Sequence, residues 1–142
     1  MWIQEPAFAE LRPDVVTPHT PWARPYAGRP LKLVVIAPRW TQRATLELQQ
    51  RFDFDAVVVM TEFSTEWGDS KTPHYAWNPY GTAELVTERA LAALRAHHRP
   101  DVIVIGHMDC RVIPEAVEQA ILDALDAGAG LAFLNPLALS QR

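Results

Sequence analysis

Residues Asp101 to Asn135 read DVIVIGHMDCRVIPEAVEQAILDALDAGAGLAFLN, and the fold turns on how this stretch divides. DVIVIG is short, apolar and rich in β-branched residues, as expected of a strand covered on both faces, and a glycine closes it. Pro114 fits the first turn of a helix, where its missing N–H has no partner in any case, and Glu115 suits the positive helix end. Val117, Ile121, Ala124 and Leu125 then recur at helical spacing as one apolar face. Gly128 is a natural left-handed stop, and GLAFLN, Gly130 to Asn135, reads as the next strand. Two neighbouring strands joined through a helix run parallel.

The same alternation extends toward the N-terminus. LKLVVIA (Leu31 to Ala37) and DAVVVM (Asp55 to Met60) read as buried strands, and Trp40, Ala44, Leu48 and Phe52 recur at i+4 between them as one helical stripe. After a long loop, Gly81-Thr82 opens a helix whose face is Val86, Ala90, Ala93, Leu94 and His97, and Arg99-Pro100-Asp101 ends it. The order is β-α-β-loop-α-β-α-β. It predicts an α/β fold of three αβα layers, an open parallel sheet of about four strands in the order 2-1-3-4, flavodoxin-like, with right-handed crossovers and helices on both faces.

At 142 residues and 49% hydrophobic, the chain has apolar material for one ordinary core, here residues 31–142. Six of the twelve prolines fall in residues 1–30, so this segment is predicted to be an extended arm. Its Trp2, Phe8, Trp22 and Tyr26 are too apolar for a solvated linker and call for a surface to lie against. The interspersed charges, net -4, form no basic stripe that would track a phosphate backbone, so no nucleic-acid partner is expected. A single cysteine cannot form an internal disulfide. MWIQEPAFAELRPD lacks the basic and apolar regions of a signal peptide, and no run reaches the ~18 apolar residues of a membrane span, so the default is a cytoplasmic protein with no membrane partner.

In open parallel sheets ligands bind beyond the carboxyl ends of the strands where the winding reverses, here between the first and third strands. Arg39 and Trp40, then Glu62 and Ser64, then His107, Asp109 and Cys110 follow the first three strands. His107, Asp109 and Cys110 admit two readings. They form an acid/base or nucleophilic cluster, with the thiol activated by the helix that begins near Pro114. Alternatively they form a plain strand-to-helix connection in which Asp109 bonds local amides and Cys110 packs as a small apolar residue. HxDC offers at most three ligands, and His74 would have to fold over to complete a zinc site, so no metal is assigned. No GxGxxG follows the first strand, and no cofactor is expected.

The loop TEFSTEWGDSKTPHYAWNPYG, Thr61 to Gly81, carries Phe63, Trp67, His74, Tyr75, Trp77 and Tyr80. Rings with polar handles stack on a sugar, seal an interface or fold back to close the top of their own domain. Arg39, Glu62, Trp67, His74, Trp77 and Tyr80 are the candidate ligand-binding residues, for a carbohydrate or other small molecule.

PWARPYAGRP, LKLVVIAPRW and the stretch from Asp101 to Asn135 together resemble the class I glutamine amidotransferase-like superfamily, in its non-glutaminase branch of ThuA-like and β-galactosidase trimerisation-like domains. The likeness covers about residues 30 to 136, and Gly106, Pro114, Gly128, Gly130 and Leu131 to Leu134 match its strand-loop-helix-strand pattern. True glutaminases of the superfamily carry a Gly-x-Cys-x-Gly elbow after this last strand, because the strained turn must approach the acyl intermediate closely. Asn135 and Pro136 stand there instead, and Cys110 lies after the preceding strand between Asp109 and Arg111. The likeness therefore implies a domain without glutaminase activity. The superfamily's later His and acidic partner have no counterpart before Arg142, so the chain reads as the first half of a doubly wound unit or as one domain of a longer protein, with the fourth strand at an edge.

Two functions are carried forward. One is a non-catalytic assembly or docking module, self-associating or packed against other domains of a larger bacterial carbohydrate-related protein. The alternative is a small-ligand or carbohydrate-binding domain, or a hydrolase, with its site at the carboxyl ends of the strands.

Overall fold

The computed structural model describes residues 28–38, 42–63, 75–76, 83–96, 99–106, 108 and 110–134. Its elements are β1 (Leu31–Pro38), α1 (Gln42–Arg51), β2 (Phe54–Phe63), β3 (Tyr75–Ala76), α2 (Ala83–Ala96), β4 (Val102–Ile105), a 3₁₀ turn (Cys110–Val112), α3 (Glu115–Asp126) and β5 (Gly130–Phe133). β2, β1, β4 and β5 lie side by side in that order, all parallel, which is the predicted 2-1-3-4 sheet. The two-residue β3 adds an antiparallel edge at the end of β2, pairing Glu62 with Ala76 and Phe63 with Tyr75. The predicted loop 61–81 is thus strand at both of these points, because β2 continues past Met60 and its last residues take up a partner. The proline-rich arm, residues 1–30, falls outside the described residues except for Gly28, Arg29 and Pro30.

β1 stands between β2 and β4, and its side chains alternate between two apolar faces. Val34 and Ile36 join Val59, Ile103 and Ile105 under α2 and α3, where Val86, Ala90, Ala93 and Leu94 of α2 and Val117 and Ile121 of α3 complete the main core. Leu33, Val35 and Ala37 form the other face with Phe54, Ala56, Val58, Val102 and Val104. α1 touches β1 and β2, and none of its described side chains joins the main core.

Among the described residues the helix faces follow the sequence periodicity with one shift; Trp40 and His97 lie outside them. Ala44 is exposed and Thr45 is buried, so α1 presents Thr45, Leu48 and Phe52, spaced i, i+3 and i+7. Phe52 stacks on Phe54 with ring centroids 5.3 Å apart. Pro114 is the N-cap of α3 and not a first-turn residue; its carbonyl accepts from the N–H groups of Val117 and Glu118. At the other end Gly128 has φ +101°, its N–H donates to Leu125 O and that of Ala129 donates to Ala124 O. This pair of bonds is the Schellman stop expected of that glycine.

Candidate functional site

At the switch point the sheet closes tightly. Pro38 and Thr61, neighbours across β1 and β2, are both buried, and Gly106 N donates to Ile36 O at 2.8 Å. A Cβ added at Gly106 would stand 2.6 Å from the Ala37 Cβ, so only glycine lets β4 end this close to β1. Met108, 1% exposed, follows as a core residue.

Cys110 opens the 3₁₀ turn and is 5% exposed, packed in the main core with Ile105, Met108, Ile113, Val117 and Ile121. Ile113 N donates to Cys110 O at 3.2 Å, which turns the chain toward the Pro114 cap. His107 and Asp109, the other two members of the predicted cluster, lie outside the described residues. So do Arg39, Trp40, Ser64, Trp67, His74, Trp77 and Tyr80. Glu62 is placed by its backbone in β2, paired with Ala76 at the base of the aromatic segment.

One feature was not legible as a site in the sequence. A cleft of about 250 Å³ opens between α3 and the last two strands, lined by Ile105, Cys110, Ile121, Leu122, Leu131 and Phe133 among others, with Glu118 as its charged residue. It reaches the surface at the outer side of β5, where Leu122 (48%), Leu131 (36%), Phe133 (41%) and Leu134 (43%) are exposed. Among the described residues these are four of the five exposed large hydrophobic side chains; the fifth, Leu85, is on α2. The signal was present only in combination: GLAFLN is apolar, and the order 2-1-3-4 leaves it without an outer neighbour. A second, more polar cleft of about 400 Å³ runs between α2 and α3, where Arg95, Arg99, Gln119 and Asp123 surround a floor of alanines.

Among the described residues a close ion pair lies at the amino ends of the strands, away from the switch point. Arg29 donates twice to Asp101, at 2.6 and 2.7 Å, and the Lys32 N–H donates to the same carboxylate at 2.8 Å. The Arg29 hydrogen bonds first, and the Lys32 amide second, hold the Asp101 carboxyl down to about 2. The pair clamps the start of β1 to the start of β4, which is a structural role. Among the described residues no group of three or more His, Cys, Asp or Glu side chains stands together to hold a metal ion, and no helix is long and apolar enough to cross a membrane. No family model, no curated protein and no solved structure matches the chain.

Proposed function

We propose that the chain is a non-catalytic, amidotransferase-like α/β domain that serves as an assembly or docking module of a larger bacterial carbohydrate-related protein. The observation that carries this reading is the exposure of the apolar side chains Leu122, Leu131 and Phe133 around one cleft beside β5, with Leu134 exposed just after that strand. Soluble monomers rarely leave such residues contiguous, and patches of this kind mark contact surfaces. The burial of Cys110 supports the non-catalytic half of the proposal, because a nucleophile needs an approach from solvent. Residues 1–30 and the aromatic segment 61–81 remain further proposed contact surfaces. Light scattering on the full chain from low to high micromolar concentration tests the role. A species heavier than the 16.0 kDa monomer is expected, and a monodisperse monomer throughout overturns self-assembly.

The alternative, a small-ligand or carbohydrate site or a hydrolase, draws support from one fact: Cys110 also lines the 250 Å³ cleft. Its test is alkylation. On the docking role Cys110 reacts with iodoacetamide more slowly than a free thiol across neutral pH; faster reaction favours the enzyme.

A further inference from the structure

We propose that the outer edge of β5, with Leu122 of α3 above it, is a homodimer interface in which β5 pairs antiparallel with β5 of a second copy about a two-fold axis at Ala132. This rests on the docking role proposed above and names its surface and its partner.

The backbone sets the register. Gly130 N donates to Asp101 O and Leu134 N to Ile105 O, both at 2.8 Å, so the even-numbered residues of this segment turn their amides inward to β4. Strand alternation then turns the amides and carbonyls of Leu131 and Phe133 outward, and among the described residues no strand lies beyond them. Those two residues are symmetric about Ala132. Antiparallel pairing centred there sets Leu131 opposite Phe133 of the second copy, each couple exchanging both backbone bonds, with the two Ala132 residues as the close, non-bonded pair between them.

Side chains agree with the backbone. Leu131 and Phe133 lie on the same face as their register partners Ile103 and Ile105, under α3, and both line the cleft that Leu122 overhangs. A neighbouring strand in this register presents a leucine and a phenylalanine to that cleft, and a second copy supplies both. The edge also lacks the usual protection. From Ala129 to Leu134 there is no charge and no proline, whereas the opposite side of the sheet carries an exposed Asp55 on β2 and pairs β2 at its end with β3. α3 holds Glu115, Glu118, Asp123 and Asp126 and no basic residue, so two copies placed side by side repel weakly and added salt tightens the dimer.

The test is sedimentation velocity and light scattering on the full chain, with circular dichroism to confirm folding. Phe133→Lys and Leu131→Pro each weaken association about tenfold or more. Leu131→Pro removes an outward amide and leaves the bonds to β4 in place. Leu85→Lys, on α2, leaves association unchanged. Ala132→Cys in a Cys110→Ala background forms a disulfide-linked dimer on mild oxidation, because the paired Cα atoms lie about 4.5 Å apart, inside the roughly 4.4–6.8 Å a disulfide spans. A wild-type dimer that ignores both edge substitutions and gives no Ala132→Cys cross-link overturns this interface and leaves the docking role standing through another surface. A wild-type chain that stays monomeric at every concentration overturns both.

Discussion

β1 and β5 are both apolar strands of one parallel sheet, and they end in opposite environments. From Leu33 to Ala37 no residue of β1 exceeds 6% exposure, whereas Leu131 and Phe133 of β5 stand at 36% and 41%. LVVIA and LAFL do not differ in hydrophobicity enough to account for this. The difference is in neighbours: among the described residues β1 has β2 on one side and β4 on the other, and β5 has β4 alone. Burial of a strand is thus conferred by its place in the sheet, and an apolar strand in an edge position is surplus that calls for a partner.

The largest effect that can break this contrast comes from the centre of β1. Ile36 is fully buried among the main-core side chains, so Ile36→Ala removes transfer energy and leaves a cavity that flanking strands cannot collapse. A loss of roughly 2–5 kcal/mol in urea unfolding is expected. A loss under about 1 kcal/mol would mean that β1 is less enclosed than its exposure indicates.

Next in size is the contact that lets β1 and β4 approach at the switch point. Gly106→Ala drives a methyl group to 2.6 Å from the Ala37 Cβ, closer than real carbons come, and backbone must shift. The expected loss is on the order of 1–3 kcal/mol. Ala37→Gly removes the opposing methyl group, so the double variant should recover part of it. Additive losses in the cycle would show that the two positions do not touch.

These two positions also show how far the sequence was legible. The buried strands, the helix spacing and the order 2-1-3-4 follow from LKLVVIA, DAVVVM, DVIVIG and the helices between them, because a 3.6-residue period and short β-branched runs are local signals. The extension of β2 to Phe63 and its pairing with Tyr75–Ala76 were not legible, since a two-residue strand exists only through its partner. The shift from Ala44 to Thr45 on α1 was missed for a similar reason: helix rotation is set by the sheet beneath it. For the site, the sequence set His107, Asp109 and Cys110 after one strand; Cys110 stands in the main core, and His107, Asp109 and most of the aromatic segment lie outside the described residues. The cleft at β5 is an outcome of topology and had no motif to announce it.

A smaller effect comes from the residue that links the two strands. Asp101 bonds the Lys32 amide in β1 through its side chain, and its carbonyl accepts the Gly130 amide of β5. Its carboxyl is held at about 2 against an ordinary 3.8, chiefly by Arg29. A depressed carboxyl stabilises the fold fully above its unfolded value, and that contribution fades as pH falls from about 4 toward about 2. The ion pair is partly open to solvent, with the Arg29 side chain 49% exposed, so the effect is modest beside the core substitutions. Asp101→Asn should flatten the acid limb of the stability profile in this window. An unchanged limb would assign acid sensitivity to other carboxylates.

The smallest effect sharpens the comparison most. Leu131 and Ile103 are register partners on adjacent strands, yet Ile103 is fully buried and Leu131 is not. In protein dilute enough to be monomeric, Leu131→Ala should cost about 1 kcal/mol, since about a third of the side chain is already exposed, while Ile103→Ala costs roughly 2–5 kcal/mol. The inequality follows from area: a side chain 36% exposed has less burial to lose than one fully covered. Raising the protein concentration should then make the Leu131 substitution costly, since association covers the side chain and links its burial to stability by mass action. A loss near the Ile103 value in dilute solution would mean that Leu131 is covered within a single chain, and β5 would then need no second copy at its edge.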